Sequence, residues 1–407
     1  MNRPYPAFVV SKKGEKFLSG GHIWVYENEL LNAPACADGE IADVYSEKGR
    51  YLGSGFYNRH SKIRIRILSK NANDRFEDGR FFLRRISYAL EYRRTVMPGE
   101  DFRCCRLIFG EADGLPGLTV DRYGDILVAQ CLSLGMDRRK ERIYNGIVSK
   151  LREMGEKVLA LYERNDVAIR RLEGMEEYTE FFPGEGLATD LSGKTKIVEN
   201  GISYEVDYIG GQKTGFFLDQ KYNRRAVGRI AKDKTVLDCF THTGSFALNA
   251  AKGGAKRVTA VDISSAAIEL AKKNALENDL TNLDFLVADV FDLLTDLQKS
   301  GKSPYDFIIL DPPAFTKSGT TVKNAYRGYK EINLKAMQLL PRGGYLATCS
   351  CSHFMPAPLF EQMLDEASAD AGVQLRQIEM RQQAPDHPIL RKVPETDYLK
   401  FYLFQVV

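Results

Sequence analysis

Four carboxylates and two thiols occur at the ends of predicted strands in the C-terminal half of the sequence. In chain order they are Asp238, Asp262, Asp289, Asp311, Cys349 and Cys351. If the strands are parallel, their carboxyl ends meet at one edge of a sheet, where open α/β folds bind ligands. The sequence therefore predicts a ligand site lined by carboxylates and sulfur.

The first of these acids opens a strand–turn–helix stretch. An apolar strand ends at Asp238, and a turn through Phe240 reaches Gly244 before a helix begins at Ser245. Glycine lets a ligand approach the backbone closely, and a helix N-terminus offers free amides. The stretch lacks the G-x-G-x-x-G spacing of a dinucleotide site. A purely structural β–α turn is the alternative.

The next two acids predict contacts to a nucleoside. Asp262 follows Asp238 by about 24 residues, at the end of the second strand, where a carboxylate accepts both ribose hydroxyls. Asp289 follows the third strand and is placed to meet an adenine amine. Each carboxylate has the alternative of capping the helix that follows it. Three acids at successive strand ends favour an adenosyl ligand.

The fourth acid and the two thiols predict reactive groups at the same edge. Asp311 precedes Pro312 and Pro313, which restrict its backbone, so we expect a rigidly held carboxylate. Cys349 and Cys351 end a later apolar strand and share one face at period two. Buried cysteine is usually only a small hydrophobic residue. Their position beside the predicted site favours a nucleophile instead.

Length and composition limit the class of protein. With 407 residues, the chain is expected to hold two or three domains. Seven cysteines, an odd and low number, indicate free thiols and hence a reducing, cytoplasmic location. We find no apolar run of about 18 residues, so no membrane span is predicted. The Cys349-x-Cys351 spacing is too tight for zinc, and we predict no metal.

Three segments differ in pattern. Residues 1–72 contain short alternating runs that predict a small β-barrel, and residues 73–193 predict a mixed α+β domain. Residues 194–407 alternate strands and helices, which is typical of a largely parallel, doubly wound α/β sheet.

The charge pattern favours an acidic polymer as partner. Residues 1–110 hold 19 Lys/Arg against 13 Asp/Glu. The strand Ile63–Leu68 alternates apolar and basic residues, and Arg80–Arg94 predicts a basic helix. These two elements are the predicted RNA surface, with a merely solvated basic surface as the alternative.

At this point the sequence resembles a known family. Residues 194–407 resemble class I methyltransferases of the large-subunit ribosomal RNA cytosine-5 family, most specifically at Gly211–Gln220, Asp311–Phe315 and Thr348–Ser350. The stretch Gly20–Tyr26 resembles the family's RNA-binding PUA domain, and residues 73–193 resemble its connector. The resemblance allows a homodimer, although no periodic apolar seam supports one.

The resemblance implies S-adenosylmethionine (SAM) as cofactor and ribosomal RNA, of the 23S type, as substrate. With the strand-end pattern, it assigns eight residues to the cofactor. They are Phe217, Gln220, Asp238, Phe240, Gly244, Asp262, Asp289 and Asp311.

The resemblance also implies a covalent mechanism. A cysteine thiolate adds to cytosine carbon 6, so that carbon 5 attacks the methyl group. Cys349 matches the family position of this nucleophile, and Cys351 is the competing assignment. Asp311 would bind the ring at its nitrogen and amine. The acceptor of the final proton stays open among water, Asp311 and His353.

One departure keeps other functions open. Many RNA cytosine-5 methyltransferases carry a second cysteine after the proline of the Asp-x-Pro stretch, whereas this chain has Pro313 and Ala314 there. Relatives with Asp-Pro-Pro include enzymes that methylate purine nitrogens. The alternatives are therefore methylation of a guanine or adenine nitrogen, and a non-catalytic RNA-binding protein, which the intact acids disfavour.

Overall fold

A computed structural model describes residues 3–301, 303–316 and 319–407. The chain divides into two compact units. The first comprises Met1–Ile197, Val206–Leu218 and Pro385–Thr396, and the second comprises Val198–Glu205, Asp219–Ala384 and Asp397–Val407. The three predicted domains, 1–72, 73–193 and 194–407, stay a prediction.

The first unit begins with a five-stranded sheet of the order β1-β3-β4-β5-β2. Its strands are β1 Ala7–Val10, β2 Trp24–Tyr26, β3 Ile41–Ser46, β4 Tyr51–Tyr57 and β5 Ile63–Ser69. Only the β1–β3 pair is parallel. An isolated antiparallel bridge joins Val10 of β1 to Leu30, which follows β2 in the chain. Phe8, Val25 and Ile65 are among the side chains that fill its core.

The sequence pattern missed a helix in this segment, where only short strands were expected. Helix α1 spans Lys12–Ser19, and Ser11 caps it by accepting a 3.4 Å hydrogen bond from the Gly14 amide. The Ser11 cap was the available signal.

The second sheet of this unit has the order β10-β9-β8-β7-β6. Its strands are β6 Cys104–Phe109, β7 Leu118–Tyr123, β8 Ile126–Cys131, β9 Ala160–Arg164 and β10 Thr179–Phe181. The helices around it are α2 Arg80–Val96, α3 Leu134–Asp137 and α4 Lys140–Glu153. Only β8 and β9 run parallel. The α+β prediction for this segment agrees with these elements.

A late segment of the chain completes this unit. Asp386 accepts a 2.8 Å hydrogen bond from the Arg106 amide, and its carbonyl accepts one of 2.9 Å from Arg93. The hairpin of β11 Lys194–Glu199 and β12 Ile202–Asp207 follows the second sheet in the chain.

The second unit contains a seven-stranded sheet of the order β15-β14-β13-β16-β17-β19-β18. Its strands are β13 Thr235–Cys239, β14 Arg257–Asp262, β15 Leu283–Val287, β16 Phe307–Leu310, β17 Tyr345–Ser350, β18 Leu375–Arg381 and β19 Lys400–Val406. Its helices are α5 Lys221–Ile230, α6 Ser245–Lys252, α7 Ser265–Glu277, α8 Val290–Ser300, α9 Val322–Leu339 and α10 Ala357–Ala371.

Chain direction in this sheet defines a ligand position. The five strands from β13 to β17 are parallel, and β18 and β19 are antiparallel additions. The chain winds from β13 outward through β14 and β15, then returns to β16 on the other side of β13. Strand order reverses between β13 and β16, and such a switch point leaves a crevice at the carboxyl ends.

Apolar clusters cover both faces of this sheet. Helices α8, α9 and α10 supply one cluster, including Leu294, Tyr329 and Phe360. Helices α5 and α6 supply the other, including Ala226 and Phe246. Buried strands therefore hold the carboxyl ends in fixed positions.

Candidate active site

Asp238 lies buried at the end of β13, next to the switch point. Its Oδ2 accepts hydrogen bonds from Thr241 Oγ1 at 2.5 Å and from the Ala247 amide at 2.9 Å. Burial raises the pKa of Asp238 to about 7; the bonds from Thr241 and Ala247 oppose the rise, and Asp311 adds to it. Its Oδ1 is buried and has no hydrogen-bond partner among the described residues. A buried oxygen without a partner is costly, which fits a bound ligand group.

The turn after Asp238 has an unusual backbone. Phe240 and His242 are non-glycine residues with φ of 65° and 50°. Gly244 has φ of 80°, and a Cβ there would lie 2.7 Å from Leu248 Cδ1. Such strain persists where surrounding structure holds it and clusters at ligand sites. Phe240 also packs against the apolar cluster under α8 and α9.

Asp262 ties this turn to the end of β14. Its Oδ2 accepts the amide of His242 at 2.9 Å, and its Oδ1 accepts that of Ser264 at 2.9 Å. Ser264, not Asp262, caps α7. The capping alternative for Asp262 is therefore not realised, and its carboxylate stands half-buried at the strand end.

Asp289 does act as a helix cap. It is exposed, and its Oδ1 accepts the amides of Phe291 at 2.7 Å and Asp292 at 3.4 Å, at the start of α8. Its contact with adenine stays a prediction beside this structural role.

Asp311 follows β16 directly across from the end of β13. Its Oδ1 accepts a 3.0 Å hydrogen bond from Gln220 Nε2, and Gln220 Oε1 accepts one of 2.6 Å from Asn223. Burial raises the pKa of Asp311 to about 6; Arg224 opposes the rise and Asp219 adds to it. Hydrogen bonds from Cys349 and Gln220 also favour the charged form. The sequence prediction of a firmly held carboxylate agrees with these bonds.

Cys349 lies inside β17 and has no exposed surface. It belongs to the apolar cluster of α5 and α6, where Phe401 is its cross-strand neighbour. Burial raises the pKa of Cys349 well above its usual value; Asp311 adds to the rise, and a hydrogen bond with Gln220 opposes it. Its thiol is thus near Asp311 but enclosed.

Cys351 lies one residue beyond the end of β17 and is partly exposed. Burial raises the pKa of its thiol to about 12. Asp311 and Asp219 add to this rise, whereas Lys400 lowers it. The structure therefore brings Cys351, Asp311 and Gln220 together at one sheet edge.

Two charged residues at this edge were given no role by the sequence reasoning. Lys400 starts β19 and is 5% exposed, and its Nζ donates to the carbonyls of Ser352 at 2.6 Å and Tyr398 at 2.7 Å. Asp219 accepts a 2.6 Å hydrogen bond from the Tyr398 hydroxyl. A lysine at the head of the apolar run Phe401–Phe404 was the available signal for Lys400.

Phe217 is half-buried in the segment Val206–Leu218 of the first unit, and its role at the cofactor stays a prediction. His353 is exposed beyond β17.

Within the described ranges, no three His, Cys, Asp or Glu side chains are grouped as metal ligands. In the same ranges, every helix is too short or too polar to cross a bilayer.

Two family models match the chain. One, described as S-adenosylmethionine-dependent methyltransferase, matches residues 164–405, and one described as PUA-like domain matches residues 8–70. The unpartnered Oδ1 of Asp238, the carboxylate of Asp262 and the strained turn fit an adenosyl cofactor at the switch point.

Similar proteins agree with these models. A protein named ribosomal RNA large subunit methyltransferase I from Pseudoalteromonas atlantica is 40% identical over 97% of each chain. One of the same name from Aeromonas salmonicida is 40% identical over 97% of this chain and 98% of its own. A Streptococcus mutans protein, assigned provisionally as a SAM-dependent methyltransferase, has a TM-score of 0.80 at 23% identity. It covers 98% of this chain and 100% of its own, and it shows the fold alone.

These matches confirm the predicted fold class, a Rossmann-like methyltransferase domain preceded by a PUA-like domain, and they confirm SAM as cofactor. The chain belongs to the S-adenosylmethionine-dependent methyltransferase family.

Proposed function

We propose that the protein transfers a methyl group from SAM to carbon 5 of a cytosine in large-subunit ribosomal RNA. The names of the relatives support the RNA class. The observation that carries the cytosine assignment is the position of Cys351, a partly exposed residue at the same edge as Asp311.

A thiol is needed because carbon 5 of cytosine is a poor nucleophile. The Cys351 sulfur bonds to carbon 6, and the electron pair of the 5,6 double bond becomes available at carbon 5. SAM supplies an electrophilic methyl group on a sulfonium. Loss of the carbon-5 proton then restores the double bond and expels the Cys351 thiolate.

Accessibility supports Cys351 over Cys349, which the sequence favoured. The attacking sulfur must touch carbon 6 of a base, and Cys349 has no exposed surface and packs among apolar side chains. Cys349 instead donates to Asp311 and helps to orient that carboxylate. Cys351 stands beyond the strand and is partly exposed.

Asp311 is the proposed partner of the cytosine ring. A carboxyl whose pKa is raised to about 6 exchanges a proton near neutral pH. A proton donated to the ring nitrogen makes carbon 6 more electrophilic, and the resulting carboxylate binds the exocyclic amine. Gln220 and Cys349 hold the side chain for this contact.

Three further acids are proposed to hold the cofactor. Asp238 offers its unpartnered Oδ1, Asp262 offers its carboxylate to the ribose, and Asp289 keeps the adenine role that the sequence predicted. The amides at the start of α6, after Gly244, lie at the same turn.

Trapping with 5-fluorocytosine RNA tests this function. Fluorine at carbon 5 cannot leave as a proton does, so the covalent adduct persists and shifts the protein on a denaturing gel. We expect an adduct with wild type and Cys349→Ala, and none with Cys351→Ala. An adduct with Cys351→Ala that is lost in Cys349→Ala would return the role to Cys349.

Methylation of a purine nitrogen is the second candidate. The absence of a thiol at Pro313 and Ala314 favours it, because that chemistry needs no cysteine. Nucleoside mass spectrometry of RNA methylated in vitro separates the two. A methylated purine, formed equally by the double variant Cys349→Ala/Cys351→Ala, would reject the cytosine proposal.

A further inference from the structure

Lys400 is a buried cation without a carboxylate partner at bonding distance among the described residues. Its Nζ makes hydrogen bonds to two main-chain carbonyls, of Ser352 and Tyr398. Buried charges are costly and are normally paired. Neither carbonyl neutralises an ammonium, so the position favours either a neutral amine or a nearby anion that forms during the reaction.

The register places this amine beside Cys351. Lys400 is the cross-strand partner of Ser350, the last residue of β17. Its Nζ reaches the carbonyl of Ser352. The amine thus bonds to the residue that follows Cys351, while its own backbone pairs with the residue that precedes it.

The other groups that face the Cys351 sulfur are acidic or neutral. Asp311 and Asp219 disfavour a thiolate there. Cys349 and Tyr329 also interact with this sulfur, and neither carries a positive charge. Lys400 in turn faces Asp397 and Cys351. Among the described groups that act on this thiol, Lys400 is the cation that favours a thiolate, and a hydrogen bond from the main chain of Cys351 adds to its effect.

We propose that Lys400 is a positioning residue that takes the proton of Cys351. The S–H bond breaks as the N–H bond forms, which leaves a thiolate beside an ammonium with no change in total charge. The thiolate adds to the base, and the ammonium supplies its counter-charge until the sulfur is expelled again.

Burial supports this assignment of the proton. It lowers the pKa of Lys400 to about 8, so a neutral amine is present in a useful fraction near neutral pH. An exposed lysine near 10.4 would hold its proton there. Because the Cys351 thiol has a pKa of about 12, transfer of its proton to this amine is uphill, and the thiolate–ammonium form is a minor species. Its population rises with pH up to about 8, where the pair loses its first proton, and is constant above that pH.

Alkylation of the protein alone tests the inference. Wild type is treated with iodoacetamide between pH 6 and 10, and the Cys351 peptide is quantified by mass spectrometry. We expect the alkylation rate of Cys351, plotted against pH, to show a rising limb with its midpoint near pH 8, the pKa of Lys400. In Lys400→Met, which keeps the volume but not the amine, we expect this limb to disappear and the rate at pH 8 to fall at least about fivefold.

Two further variants keep the test decisive. Lys400→Arg keeps a positive charge that does not titrate, and we expect a rate above that of Lys400→Met but without the limb near pH 8. Lys299→Met removes an exposed lysine of α8 and is expected to match wild type. If Lys400→Met does not fold by circular dichroism, Lys400→Arg carries the test. A limb that persists in whichever folded variant is measured overturns the inference.

This inference deepens the proposed function and rests on it for its meaning, but no RNA or SAM enters the assay. If 5-fluorocytosine RNA traps Cys351 but the limb near pH 8 is the same without the Lys400 amine, only the proposed role of Lys400 is rejected. If the limb depends on Lys400 and Cys351→Ala still methylates cytosine, the nucleophile assignment is lost instead.

Discussion

Gln220 donates a 3.0 Å hydrogen bond to Asp311, although the two lie 91 positions apart in the chain. Gln220 immediately precedes α5, and Asp311 immediately follows β16. Asn223 in turn donates to Gln220, which fixes the orientation of its amide. The Asp311 carboxylate is thus oriented by Gln220, and the orientation of Gln220 is fixed by Asn223. Pre-organisation of this kind lowers the free-energy cost of reaching a reactive geometry.

Removal of this amide is expected to slow methyl transfer. The Gln220 bond favours the charged form of Asp311, so Gln220→Ala should raise the pKa of that carboxyl. A hydrogen bond to a charged group contributes about 1.5–3 kcal/mol, so we expect kcat to fall about tenfold or more. The midpoint of the kcat–pH profile should move upward. The control is Gln298→Ala, at a half-buried glutamine of α8 that donates to Gln338. A kcat–pH profile that is unchanged in Gln220→Ala, as in this control, would contradict the prediction.

The buried carboxyl of Asp238 predicts a pH-dependent stability without cofactor. The folded protein keeps this proton up to about pH 7, whereas the unfolded chain releases it near pH 4. The folded state therefore binds more protons in this window. Its stability contribution is complete below about pH 4 and is lost as pH rises through about 7.

Asp238→Asn removes that titration. We expect its free energy of unfolding in urea to fall less steeply between pH 4 and 7, by up to about 1.4 kcal/mol per pH unit. Asp296→Asn, which changes an exposed carboxylate of α8, is the matched control. Parallel curves for wild type and Asp238→Asn would exclude a raised pKa at Asp238.

The two roles of Asp289 are separable by substitution. Asp289→Ser keeps an N-cap oxygen for the amides of Phe291 and Asp292 but removes the carboxylate. We expect unchanged stability and about tenfold weaker SAM binding by calorimetry if the adenine contact exists. Asp289→Ala should additionally cost about 1 kcal/mol of stability. Full SAM affinity in the serine variant would leave Asp289 as a cap only.

Asp262 is expected to matter more for the cofactor. Its two oxygens accept amides from the turn of β13 and from the loop before α7. Asp262→Ala therefore loosens the turn and removes the proposed ribose acceptor together. We expect SAM affinity to fall at least about a hundredfold by calorimetry, a larger loss than in Asp289→Ser. A smaller loss than in that variant would reverse the assignment.

Periodicity predicted the five parallel strands and β19 of the second unit but missed β18, Leu375–Arg381, in which four of the seven residues are polar or charged. The parallel strands and the acids at their ends follow from local sequence. Side-chain exposure does not follow from local sequence, and this is why the sequence favoured Cys349 over Cys351. Both end one apolar run, but β17 stops at Ser350, and that single residue decides which thiol is enclosed.

Long-range pairing was outside the reach of local patterns. Asp386 completes the first unit by bonding to the Arg106 amide, 280 positions away, and no periodicity reports such a bond. A role for Lys400 was not predicted for a related reason. A lysine beginning a strand usually reaches solvent, and only the cross-strand register shows that its amine turns back to Ser352.

Ion pairs change the predicted RNA surface. On β5, Arg64 pairs with Glu27, and Arg66 lies 3.1 Å from Glu111 and 2.9 Å from Glu173. The basic face of this strand is therefore largely neutralised. On α2, Arg80 and Arg84 also pair with carboxylates, but their side chains are 87% and 44% exposed, against 16% and 12% for Arg64 and Arg66. The face that we propose for RNA consists of Arg80, Arg84, Tyr88, Tyr92 and Arg94.

On this helix face, loss of a stacking ring and loss of a positive charge are expected to change RNA binding in different ways. Tyr88 is 57% exposed, and a stacked base contributes about 1–3 kcal/mol, so Tyr88→Ala should weaken RNA binding about fivefold or more. Arg94→Ala should instead lower the slope of log affinity against log salt by about one, because one phosphate contact is lost. Lys157→Ala, at an exposed lysine paired with Asp125, is the control and should change neither. RNA affinity is measured by filter binding from 50 to 200 mM salt for wild type and the three variants. A helix that contacts phosphates releases fewer counterions when it loses a cation. Equal affinities and equal salt slopes for all four proteins would therefore exclude α2 from the RNA surface.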